Sequence, residues 1–412
     1  MTNWSRENFR ENGFMQGDMV LWMIFISLCL ISIIEVYSAS SNMTYSSGQY
    51  WAPVMRHTVF VGLGIAFAWM LHMLPCKFYK LLGIVIMFFS YILLIWAFCS
   101  GKINGAARWV GIGDIKFQPS EIAKLGLVTT TAFLLSTFRD KKGASMFGFK
   151  IASANIALTL MLIVTENLST AAIIFLVMLA ICFFAQAPFK CLAWIVGGIA
   201  IMSISALFLA KSIPQSTLDE WAKSEGPIHR VPTWVNRLNK NTTLPQDPRQ
   251  YNITEDIQVT HARIAVGTCG ILGKGPGNSV ERDYLPHADN DFIYAIIIEE
   301  GGIIFGSFVM FLYLLLLYRA YRIANKCKSL FPTYLIMGLA LMMVTQAMVN
   351  MAVATGAMPV TGQPLPLISR GGTSTFVNCA YIGMMLSVSR SAKMEKDQED
   401  RTETTNNPTT ES

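Results

Sequence analysis

Charged side chains are scarce in this chain. They make up 14% of its 412 residues, against 53% hydrophobic ones, where a water-soluble protein carries roughly 25%. That balance excludes a freely soluble globular enzyme. The eight cysteines are scattered, most of them inside apolar runs, with no CxxC pair and no even framework. Neither a disulfide scaffold nor a zinc site is indicated. No basic patch with interleaved aromatics occurs, so the formal net charge of +6 does not mark a nucleic-acid binder. The glycine-rich run from Gly267 to Gly277 lacks the GK[ST] ending and the preceding strand of a phosphate-binding loop. No repeat of fixed period is evident, which removes solenoid architectures.

What is present is long apolar sequence, with a mean hydropathy of +0.44. A helix needs about 20 apolar residues to cross the bilayer core. Ten stretches qualify, at roughly 18–39, 55–74, 80–99, 121–138, 148–165, 168–186, 191–211, 292–318, 332–355 and 374–389. The expected fold is therefore all-α and polytopic, with ten transmembrane helices. The first stretch is too long for a cleaved signal peptide and lacks a convincing small-residue cleavage site, so it reads as the first span. Basic residues set the orientation. With the N-terminus in the cytoplasm, the inner segments hold Arg6, Arg10, Lys77, Lys80, Arg139, Lys141, Lys142, Lys150, Lys190, Arg319, Arg322, Lys326, Lys328 and the basic residues from Arg390 onward. The short outer connectors hold only Arg56, Lys102, Arg108, Lys116 and Arg370. Both termini are expected inside. The chain then divides into a cytoplasmic tail 1–17, helices one to seven in 18–211, an extracytoplasmic loop 212–290, helices eight to ten in 291–391, and a disordered cytoplasmic tail 392–412. Within the loop, an amphipathic helix around 255–268 is expected at the membrane interface. The glycine run after it suits tight turning and close backbone approach.

Against this background, three polar clusters emerge on one membrane face. The first is Asn104-Gly-Ala-Ala-Arg108-Trp109-Val-Gly111 with Gln118-Pro-Ser-Glu121-Ile-Ala-Lys124. The second surrounds Asp291, where the long loop re-enters a helix. The third is Asn350 with Gly356 to Ser374, including Ser369, Arg370 and Gly371. Charge at a membrane border is costly and usually functional. Asp291 is placed for general-base work; the alternative is that Asp289, Asn290 or Asp291 caps the following helix. Glu299 and Glu300 lie about 80° and 180° around the helix from Asp291 at about 100° per residue. They suit ion pairs with another helix, Lys124 and Arg108 being possible partners, and a packing role. Glu121 and Lys124, at i and i+3, share a helix face. Arg108 beside Trp109 offers a planar fork for phosphate, although Trp at an interface also serves as a plain anchor. Arg370 before Gly371-Gly372 suits an anion-binding turn or an ordinary interfacial arginine. Glu35, His57 and His72 read as edge residues. No metal ligand set is identified.

Taken together, the motifs resemble the SEDS family (shape, elongation, division and sporulation), which includes FtsW, RodA and SpoVE. The matching words are Tyr37-Ser-Ala-Ser40, Asn104 to Trp109, Gln118-Pro-Ser-Glu121 with Lys124, Leu285-Pro, Asp291-Phe-Ile-Tyr294, Glu299-Glu300, Pro359-Val-Thr-Gly362, Leu365 to Ser369 and Gly371-Gly-Thr-Ser374. The resemblance runs through nearly all ten stretches. It implies a peptidoglycan glycosyltransferase of the bacterial cytoplasmic membrane that polymerises lipid II, working with a cognate class B penicillin-binding protein transpeptidase and other division proteins. It also implies that Asp291 is the essential extracytoplasmic aspartate. Arg108, Trp109, Gln118, Glu121, Lys124, Ser369, Arg370 and Gly371 would line the substrate site. Whether a divalent cation, Mg or Mn, assists the transfer is left open, as is a cation-binding role for Asp291. Three departures stand out: Thr165-Glu-Asn-Leu168 where the family usually has Gln-Pro-Asp-Leu, Arg370 where tyrosine is usual, and Gln363 where an aliphatic is usual. Lys274 to Ser279 and Arg230 to Arg237 look more like the FtsW branch than the RodA branch, which points to the division septum. The rival functions are a lipid II flippase, an elongation polymerase of the RodA kind, and a non-catalytic division scaffold.

Overall fold

The computed structural model describes residues 15–39, 52–99, 110–112, 115–141, 143–164, 167–214, 257–285 and 289–406, with a few isolated positions between 217 and 235. Apolar runs in a bilayer satisfy their backbone groups only within helices or closed barrels, and each of the ten stretches is helical here. In chain order the helices are α1 Met19–Ala39, α2 Ala52–Met73, α3 Phe78–Cys99, α4 Pro119–Thr137, α5 Met146–Val164, α6 Leu168–Phe184, α7 Phe189–Ser212, α8 Ile257–Thr268, α9 Ile293–Ala324, α10 Leu330–Ala354 and α11 Gly372–Asn406. Two short antiparallel hairpins connect neighbours: β1 Val110–Ile112 with β2 Ile115–Phe117, and β3 Arg139–Asp140 with β4 Gly143–Ala144. Among the described residues, six helices are long and apolar enough to cross a membrane: α1, most of α2 and α3, α5, α9 and α10. The chain is a helical, polytopic membrane protein.

The bundle is built around α10, which packs on α4, α6, α9 and α11. Its interior face is unusually polar: Gln346 and Asn350, four residues apart, are both buried. α4 carries the matching polar face, with Ser120, Glu121, Lys124, Thr129, Thr130 and Thr131 all buried. Polar residues inside a bundle turn towards one another because lipid offers no partners. Thus α4 is buried along most of its length, while exposed Leu, Ile and Phe side chains of α3 and α7 supply the apolar outer surface.

The apolar run at 292–318 is not one continuous helix. Gly302, at φ 71° and ψ −177°, breaks α9, and the glycine-rich loop after α8 fills the break. Lys274 and Gly275 donate their N–H groups to the carbonyls of Glu299 and Glu300, both at 2.9 Å, while Ile303 and Ile304 donate to Gly270 and Ile271 at 3.3 and 3.4 Å. The backbone groups orphaned by the break are therefore paired. A Cβ on Gly273 would lie 2.2 Å from the Glu300 carbonyl, and one on Gly302 would lie 2.2 Å from the Ile271 carbonyl. Only glycine permits this approach, as the glycine spacing anticipates. The part of α9 after the break spans roughly 33 Å at about 1.5 Å per residue, enough to cross the core unaided. Glu299 and Glu300 consequently flank a junction with the loop instead of lying within a lipid-facing helix.

The chain beyond 391 also differs from the expected disordered tail, because α11 continues to Asn406. Residues Ser391 to Asp400 contain no glycine or proline and are mostly good helix formers. Extending a nucleated helix is far easier than starting one.

Candidate active site

Asp291 is half-buried and lies two residues ahead of α9. A cap at Asp289, Asn290 or Asp291 is the alternative expectation; the N-cap position is Phe292, which makes no side-chain cap hydrogen bond. The segment is instead held through its carbonyls. Arg370 donates its backbone N–H to the Asp289 carbonyl at 2.8 Å, the Ser369 hydroxyl donates to that of Asn290 at 2.6 Å, and Asn350 Nδ2 donates to that of Asp291 at 2.8 Å. Three consecutive peptide units are thus tied to the third cluster. Arg370 adds an ion pair from Nη1 to Asp289 Oδ2 at 2.8 Å.

The first cluster joins the same network from below. Lys124 Nζ meets Glu121 at 2.7 Å and Gln346 Oε1 at 2.6 Å, and Gln346 Nε2 continues to the Pro364 carbonyl at 3.1 Å. Asn350 Nδ2 also reaches the Gln363 carbonyl at 2.7 Å. Residues 363–370 are therefore fixed from α10 on one side. On the other, the Ser32 hydroxyl of α1 donates to the Ile368 carbonyl at 2.8 Å and contacts His57 Nε2 of α2 at 2.8 Å. Buried ammonium and carboxylate groups are tolerated only when paired in this way.

The described parts of the three clusters converge, as expected from one-face topology. Arg108, Trp109 and Glu166 lie outside the described residues. Gln118 is half-buried just before α4 and accepts the Glu121 N–H at 3.1 Å. Ser369 is buried and accepts the Leu365 N–H at 2.7 Å, and the Gly371 carbonyl accepts from Thr375 N at 3.0 Å in the first turn of α11. Two departures from the family pattern lie close together. The Gln363 amide donates to the Thr170 hydroxyl at 2.8 Å, and the Thr170 N–H is capped by Asn167 at 3.1 Å. A polar side chain at 363 is satisfied by the altered start of α6.

Several expectations need correcting. Glu299 and Glu300 do not pair with Lys124, whose ammonium is taken within α4 and by α10. Glu299 instead receives Lys274 Nζ at 2.5 Å and the Ser279 hydroxyl, and Glu300 receives the Ser38 hydroxyl and the Gly277 N–H, with Arg282 at 3.8 Å. The partners come from the loop and, at Ser38, from α1. Glu35, His57 and His72 lie near the ends of α1 and α2 and are buried there. His57 lies close enough to Arg370 and Asp289 to feel both charges. Gln346 and Ser32 are parts of this network that motif spacing did not single out, and Asp289 enters it as an ion-pair partner and not as a cap. Gln346 could have been found from its i, i+4 relation to Asn350; Ser32 carries no such signal.

A family model described as "Cell cycle protein", covering FtsW, RodA and SpoVE, matches residues 18–394. A relative from Coxiella burnetii, "Probable peptidoglycan glycosyltransferase FtsW", is 29% identical over 381 residues, covering 89% of this chain and 95% of its own length. A chain from a solved peptidoglycan synthase complex, described as coordinating polymerization and crosslinking, superposes with a TM-score of 0.70 at 24% identity, covering 91% of this chain and 98% of that one. The rod shape determining protein RodA of Thermus thermophilus superposes with a TM-score of 0.62 at 22% identity, covering 91% and 97%.

Proposed function

This chain belongs to the FtsW, RodA and SpoVE family of cell cycle proteins, and from that premise we propose that it is a peptidoglycan glycosyltransferase polymerising lipid II at the outer face of the bacterial cytoplasmic membrane. The observation that carries the reading is the half-buried Asp291 on a segment tied at three successive carbonyls. A base held in place without reorganisation accelerates proton transfer and attack together. The Asp291 carboxylate takes the proton of the acceptor sugar hydroxyl as its oxygen attacks the anomeric carbon of the donor. The bond from that carbon to the pyrophosphate oxygen breaks with inversion, and the pyrophosphate departs on its polyprenyl carrier. Arg108 is the residue expected to neutralise the leaving charge. Lys124, 1% exposed and paired with Glu121, acts by supporting the loop.

Among the described residues, no group of three or more His, Cys, Asp or Glu side chains comes together to hold a metal, and the Asp289 carboxylate is engaged by Arg370. No step is assigned to a Mg or Mn ion.

Ten spans place both termini in the cytoplasm and the 212–290 loop outside, and the partner is a class B penicillin-binding protein transpeptidase at the division septum. The flippase reading draws on one specific feature, the break in α9, since discontinuous helices mark transport sites. Here the orphaned groups of the break are taken by the loop backbone, which favours a structural joint. The deciding experiment supplies lipid II to the complex with its transpeptidase, with and without Asp291→Asn. Glycan strands from the wild type alone support the polymerase. Lipid II crossing a liposome bilayer with no polymer from either form would move the function to the flippase.

A further inference from the structure

We propose that the Asp289–Arg370 ion pair is a positioning device for the Asp291 carboxylate, and that Arg370 serves the reaction through Asp289 without holding substrate. This rests on Asp291 being the general base. The tie at Asp289 is doubled: the same two residues share a backbone bond and a side-chain ion pair, each at 2.8 Å. Two bonds between one pair of residues restrain both the distance and the relative rotation of the two chain segments. Asp291 is two residues further on, so rotation about this clasp swings its carboxylate directly. The partner loop is itself rigid, held from α10 at Pro364 and from α1 at Ile368.

Burial gives the pair its leverage. The Asp289 side chain is 7% exposed and that of Arg370 28%, so the pair is screened far less than a surface ion pair. Removing the guanidinium leaves a nearly buried carboxylate without its charge partner, and the least costly response is for the segment to turn that carboxylate towards water. Such a turn displaces Asp291 from the acceptor hydroxyl, and misplacement of about 1 Å is enough to cost on the order of 100-fold in rate.

The test measures kcat and KM for lipid II polymerisation by the complex with its transpeptidase, for Asp289→Asn, Arg370→Gln, the double variant, Arg370→Lys and Asp291→Asn, with thermal melting of each. Positioning predicts that both single variants lower kcat by roughly 10- to 100-fold with little change in KM. The double variant should be no worse than the worse single, and Arg370→Lys should recover part of the loss while melting like the wild type. A raised KM in Arg370→Gln alone, with Asp289→Asn near wild type, would instead mean that the guanidinium grips substrate and would overturn the proposal. So would unchanged kcat in both singles, or a loss that follows melting temperature across all variants. If Asp291→Asn polymerises like the wild type, the base assignment fails first and the positioning role falls with it.

Discussion

Two acidic sites lie within a dozen residues of each other, and the described contacts hold them in different ways. At Glu299 and Glu300 the carboxylates themselves are engaged. Lys274, the Ser279 hydroxyl and the Val280 N–H at 3.1 Å converge on Glu299, and the Ser38 hydroxyl with the Gly277 N–H converge on Glu300. Both residues are buried. At Asp291, Asn350 takes the carbonyl, and the residue stays half-buried at the mouth of the bundle. An acid whose charge is consumed by its own protein is a joint. Asp291, half-buried on a restrained backbone, is the acid that the proposed function assigns to the base.

That contrast can be broken experimentally. The largest effect should come from Asp291→Asn, which is expected to lower polymerisation by about 10²- to 10⁴-fold while leaving the melting temperature unchanged. A variant that melts early would place Asp291 with the joints. Glu299→Gln should do the reverse, destabilising the fold by about 3–5 kcal/mol because Lys274 loses its counter-charge in a largely buried setting. Melting of the detergent-solubilised protein reads this, and a normal melt with lost activity would put Glu299 in the chemistry. Gly273→Ala comes next. Its φ of +76° costs a side chain roughly 1–2 kcal/mol before the contact with the Glu300 carbonyl is counted, so protease cleavage within 270–280 should accelerate. The smallest effect is expected for Gln363→Leu. It removes one hydrogen bond, to Thr170, worth about 1 kcal/mol, and should shift melting slightly with polymerisation intact.

Much of this architecture was legible in the residues. All ten apolar stretches are helical because lipid leaves the backbone no other local solution, and the described parts of the clusters around 118–124, 291 and 350–374 converge. The glycine spacing at 270–277 announced a close backbone approach without naming its partner. Ion-pair partners were misassigned for a physical reason. A helix register says which residues share a face, but not which chain segment fills the space opposite that face. Lys124 and Arg108 are the candidates that helix position offers for Glu299, and Lys274 emerges as its counter-charge only with the loop threaded into the break at Gly302.

Composition and order by themselves determined that the chain is a membrane-embedded helical bundle, and that its costly polar residues need partners within it. Both follow from short-range physics, namely desolvation and backbone hydrogen bonding along a single segment. Only the tertiary structure decided that α9 is broken and stitched by a loop, and that Arg370 is held by Asp289. Only there do Lys124 and Asn350 become parts of one brace around Asp291. These contacts join residues as far as 222 positions apart, and no local preference encodes which of several buried polar groups will find each other when the helices close.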